Sequence, residues 1–369
     1  MEEMKNTAVE VESITEVGHD IQKEKIRNLV SGIYDIQKLR IAIGNRVVQS
    51  FNIQMGQKPS ESQEDMEKEA QSMIKTLRSE YKRITDAYIN KSYIKKVKTG
   101  ENTEEKTVTL AKNAGIEKII SVVNEDKDLD IQYIKNKLDY ELMGTYVDIL
   151  ETEERMTKVL SKEVEKHPMW DKFFKDVKGC GPLMAAVCIA YFDVHKARHV
   201  SSFWKYAGLD TVDVALEDGT HIREGRGKKH TEMVQYTDKD GNIKEKRSIT
   251  YNPELKTKLL GVLGGSFLKK PGCKYEKTYR DYRNRLDNRV DSNSLSALRK
   301  HRMANRYMIK QFVRDLWVTW RAYEGYEVSE PYEVAVLGRN PHHYNEYHTR
   351  MAKHQRRMEQ LKDRLSDSE

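Results

Sequence analysis

The sequence predicts a mainly α-helical chain: a long-helix N-terminal bundle or coiled coil, then an α-helical domain with a β-hairpin insertion. Three observations carry this. Only seven prolines interrupt 369 residues. In the first half, apolar residues recur at three- and four-residue steps, the period of one helical face. In the second half, glycines concentrate and one segment alternates as strands do.

Leu29, Ile33, Ile36, Leu39, Ile43, Val47 and Phe51 make one stripe over residues 26–53. Gly56, Pro59 and an acidic run at 60–69 break it. Ile74, Leu77, Tyr81, Ile84 and Tyr88 then predict a helix reaching about Lys96, followed by a charged linker at 99–107. A short helix is expected at 108–122. A long one is expected from Ile131 to about Lys166, through Ile134, Leu138, Leu142, Tyr146, Ile149, Met156 and Leu160. Narrow stripes on long polar helices favour antiparallel packing, within one chain or between copies, so a homo-oligomer through these N-terminal helices is expected.

The character changes at His167-Pro168, which sets the predicted domains at 1–167 and 168–340, with a charged tail at 341–369. Residues 232–252 read as a hairpin around Asp240-Gly241. Helices are expected at 253–268, 274–287 and 294–323.

Charge follows the same division. Residues 1–170 hold 27 Lys and Arg against 31 Asp and Glu, a balance of −4, whereas residues 171–369 carry +11. Within them, residues 269–321 hold 15 basic and 5 acidic side chains. Such an excess is the footprint of a polyanion binder, although it also suits a solvated surface. Charged residues at 33% and a mean hydropathy of −0.80 leave no run of about 18 apolar residues, so no membrane partner is expected. Three cysteines without CxxC spacing and no apolar leader point to a reduced, cytoplasmic setting without structural zinc.

The most informative stretch is Val177-Lys178-Gly179-Cys180-Gly181-Pro182-Leu183-Met184-Ala185-Ala186. Two glycines permit a tight turn whose N–H groups can approach a phosphate, and Pro182 suits the first position of the next helix. Lys178 or Lys175 would supply counter-charge. The spelling resembles the helix-hairpin-helix module; an ordinary helix–helix turn is the alternative. On the last long helix, Arg302, Arg306, Lys310 and Arg314 fall at four-residue steps and share one face, either tracking phosphates or merely solvated. The loop Gly225-Arg226-Gly227-Lys228-Lys229-His230 is a second basic candidate, again against a plain exposed turn. Tyr275, Tyr279 and Tyr282 suit a core better than a base-stacking platform. His342, His343, Glu346 and His348 fit surface positions better than a metal site, and nothing in the spacing of Asp176, Asp193, Asp213, Glu217 and Asp218 demands a divalent ion.

Several boxes add a family resemblance. His195-Lys196-Ala197-Arg198-His199-Val200-Ser201-Ser202-Phe203-Trp204-Lys205-Tyr206-Ala207-Gly208-Leu209 resembles a box of the insertion-sequence 110 (116/110/902) transposases. Thr250-Tyr251-Asn252-Pro253, the stretch from His301 to Lys310, Leu316-Trp317 and Glu330-Pro331-Tyr332 continue the likeness over about 170–337. It implies DNA binding through the phosphate backbone, in transposition or recombination of a mobile element. The chain departs from the family in two ways. Residues 1–170 contain no recognisable metal-binding carboxylate domain, and no serine stands shortly after Gly208-Leu209, where the family's nucleophile is expected. Catalytic residues and cofactors are therefore unassigned. Two rivals stay open: a strand-transfer enzyme using Ser201, Ser202, Ser248 or Ser266, and a non-catalytic relative serving as an RNA-binding or scaffold protein.

Overall fold

The computed structural model describes residues 2–54, 66–99, 102–125, 132–215, 219–289 and 295–328. Residues 55–65 of the predicted break, residues 126–131, Glu217, Asp218, Glu330-Pro331-Tyr332 and the tail with its histidines lie outside them. The fold is mainly helical, as expected. Its described chain forms two compact units, residues 31–159 and residues 1–30 with 160–369.

The smaller unit takes the C-terminal part of α1 (Glu2–Gln54), α2 (Met66–Asn90), the strands β1 (Ser92–Thr99) and β2 (Asn102–Thr109), α3 (Ile116–Glu125) and most of α4 (Lys137–Glu165). Val47, Phe51, Leu77, Ile84 and Tyr146 of the predicted stripes are buried in its core beside Ile119, Ile120, Val123 and Met143, whereas Leu39 and Leu138 of the same stripes are exposed. Several expectations change here: the short helix expected at 108–122 spans 116–125, with Val108 and Thr109 in β2, and the long one expected from Ile131 starts at Lys137. The second helix stops at Asn90, and the predicted linker is an antiparallel hairpin pairing Tyr93 with Val108 and Ile94 with Thr107. Lys91 turns the chain with φ +51°, which ends the helix before Lys96.

The larger unit begins with residues 1–30, not at His167. Ile26 and Val30 are buried, Lys23 pairs with Asp193 at 3.0 Å, and the Arg27 guanidinium donates to the Ala190 carbonyl at 2.9 Å. The apolar stripe is continuous through residue 30, so periodicity alone does not reveal that its two ends serve different cores. His167 instead caps α5 (Pro168–Lys172), accepting from the Met169 N–H through Nδ1. A single 3-10 turn and a glycine turn lead to α6 (Pro182–Tyr191) and α7 (Val200–Tyr206).

Two hairpins follow, β3 (Thr211–Ala215) with β4 (His221–Gly225), then β5 (Glu232–Thr237) with β6 (Ile243–Ser248). The second matches the sequence expectation and the first was not expected. The helix predicted at 253–268 is α8 (Pro253–Thr257), a π-helical stretch at 258–263 and α9 (Gly264–Lys269). Asn252 caps its start by accepting from the Leu255 N–H at 3.0 Å. α10 (Lys274–Asp287) and α11 (Ala297–Tyr323) close the unit. α11 is its axis: Phe312 packs against Phe173, Phe267 and Tyr275, and the Trp317 indole N–H donates to the Ala197 carbonyl at 2.9 Å. Among the described residues, no helix is long and apolar enough to cross a membrane.

Candidate nucleic-acid interface

The glycine turn forms where the sequence expects it. The Cys180 N–H donates to the Val177 carbonyl at 3.0 Å, and Gly179 adopts φ +93°, a region unfavourable to residues with a Cβ. A Cβ there would also stand 3.1 Å from Phe267 Cδ1. Beneath the turn, the Ser266 hydroxyl donates to the Gly179 carbonyl at 2.7 Å. Gly181 plays another part. It caps α6 with φ −73°, is exposed, and a Cβ added to it would meet nothing within 4 Å. Lys178 is exposed beside it. The segment before the turn is only α5 and the 3-10 turn at 174–176, shorter than the single helix expected.

The basic loop and the last helix divide into surface and structural cations. Lys228 is exposed, and Lys229 is exposed while pairing with Glu224. Arg226 is a correction: it is 6% exposed, held by Asp210 at 2.8 Å and Glu232 at 2.8 Å, and reaches Thr250 at 3.2 Å. It fastens the bases of the two hairpins and presents nothing to a ligand.

On α11, Arg302 is exposed, but Arg306 donates to the carbonyls of Gly208 and Asp210 at 2.8 and 3.2 Å. Its guanidinium fills the space a side chain on Gly225 would need. Lys310 lies over the Trp204 ring at 4.0 Å. Arg314 is a second correction, since it is 3% exposed and bound to Asp315 at 2.8 Å. Residues 311–318 are all buried, so the helix has no solvent face at that level. The four-step row of cations is thus one surface residue, two that brace neighbouring elements and one core ion.

Sequence reasoning missed Lys256. It donates to the Arg226 carbonyl and lies 4.8 Å from the Tyr251 ring centroid. Burial, and then the Arg306 charge, lower its ammonium to about 8. Its position four residues after the Asn252 cap is the only signal in the sequence.

Two of the acidic candidates, Asp193 and Asp213, are paired with cations. Burial would raise the Asp193 carboxyl, but the Lys23 hydrogen bond and charge, with help from Lys196, bring it below its usual range. A hydrogen bond from Arg223 lowers Asp213. Among the described residues, no three His, Cys, Asp or Glu are grouped so as to hold a metal ion. No family model, curated protein or solved structure matches the chain.

Proposed function

We propose that the chain binds DNA through its phosphate backbone and acts in transposition or recombination of a mobile element. The observation that carries this reading is the exposed turn at 178–181. Its positive-φ glycine, open Gly181 and exposed Lys178 suit close approach of a phosphate to the backbone. The +11 balance of residues 171–369 and the resemblance to the insertion-sequence 110 transposases support the same reading. Contacts of this kind position a duplex without reading its sequence.

Gly181 offers the cleaner test, because Gly179 is also required by the fold. Gly181→Val fills only open space, so it should leave the melting temperature nearly unchanged while weakening duplex binding about tenfold or more, the size of a lost charge-assisted hydrogen bond or two. Fluorescence anisotropy with a labelled duplex measures this. Undiminished binding by the variant would remove the turn from the interface. A preference for structured RNA over duplex DNA in competition would favour the RNA-binding alternative.

A further inference from the structure

Lys178 does not simply extend into solvent. Its Nζ lies 3.4 Å from where a Cβ on Gly272 would stand, over a second turn, Lys270-Pro271-Gly272-Cys273. This turn repeats the first. The Cys273 N–H donates to the Lys270 carbonyl at 3.2 Å, as Cys180 does to Val177, and Gly272 has φ +75°. Proline followed by glycine at the two central positions is the composition of a type II turn. In each turn the residue after the glycine is a buried cysteine, 5% and 4% exposed. Burial and then the neighbouring Cys273 raise the Cys180 thiol. α9 joins them from below, with Ser266 and Phe267 against Gly179 and its last residue, Lys269, leading into the second turn.

Lys178 on the first turn, and Lys269 and Lys270 at the start of the second, carry the charge here. All three are exposed, and none has an acidic partner among the described residues. Arg223, Lys229, Lys244 and Arg280 each lie against a carboxylate, whereas these three, like Lys172, Lys228 and Lys277, have none among the described residues. Three like charges gathered on two abutting turns repel one another, and an anion lying across them removes that repulsion.

We propose that the turn at 270–273, with Lys269 and Lys270, is a second phosphate subsite beside the first, so that the two turns together hold neighbouring phosphates of a DNA backbone. Nothing in the basic composition of 269–321 singles out this pair, because only the fold brings it to Lys178. The proposal rests on the DNA-binding reading and deepens it.

The test is a salt titration of duplex binding by the full chain, comparing the wild type, Lys269→Gln/Lys270→Gln, and Lys112→Gln/Lys118→Gln. The last pair is also exposed and removes the same charge from the smaller unit. Each neutralised phosphate contributes about 0.9 to the slope of log K against log salt. The 269/270 variant is therefore expected to lose about 1–2 from the slope and to bind about tenfold more weakly, while the 112/118 variant keeps the wild-type slope. Equal slopes for all three would overturn the second subsite and leave the DNA-binding reading standing. A wild-type chain that binds no duplex would overturn both.

Discussion

Raising the salt from about 50 to about 200 mM is expected to weaken duplex binding by about a thousandfold or more, the response of a protein that neutralises roughly six to ten phosphates. Fewer cations are available for this than the composition suggests. Arg226 and Arg314 are buried against carboxylates and Arg306 is spent on backbone carbonyls. Lys178, Lys228, Lys269, Lys270, Arg299 and Arg302 are exposed, which reaches the lower end of that range. Anisotropy titrations across the salt series measure the slope. A flat response would mean that the basic excess only keeps the protein in solution.

Asp315→Ala is expected to destabilise the larger unit by about 3–5 kcal/mol, the usual cost of leaving one charge of a buried pair uncompensated. Asp315 is 2% exposed and accepts from Arg314 at 2.8 Å, Lys274 at 2.9 Å and the Tyr275 hydroxyl at 3.0 Å. Without it, the Arg314 guanidinium, 3% exposed, loses that carboxylate while staying buried. Lys274→Ala is the comparison. That side chain is 41% exposed, so its loss should cost about 1 kcal/mol or less. Urea denaturation of the full chain reads both values. A loss below about 1 kcal/mol for Asp315→Ala would mean that the buried network does not hold α10 to α11.

The sequence made much of this legible, for identifiable reasons. α10 begins and ends where the pattern predicts, at Lys274 and Asp287. The hairpin of β5 and β6 follows from its Asp-Gly turn, where Gly241 takes φ +83°. The hairpin of β1 and β2 was hidden, because its register sets Lys95 opposite Lys106 and Lys96 opposite Glu105, and such charged segments read as linker. The glycine turn was visible because two glycines followed by a proline suit a tight turn and the first position of a helix.

What a cation does once the chain folds was not visible. Arg226 meets Asp210 and Glu232 only after two hairpins form, and the residues around Arg314 are engulfed because α10, α9 and the segment at 173–174 all close on α11. The same limit applies to the first 30 residues. Ile26 and Val30 carry the ordinary helical period, and only the fold assigns them to the core that also holds Asp193 and Ala190.

The central claim is that duplex DNA meets the backbone of the turn at 178–181. Amide hydrogen exchange on the full chain, with and without a saturating duplex at low salt, tests it most directly. The account predicts slowed exchange in peptides spanning residues 175–184, with residues 31–159 unchanged. Protection confined to residues 31–159, with the turn exchanging at its unbound rate while duplex is bound, would contradict it.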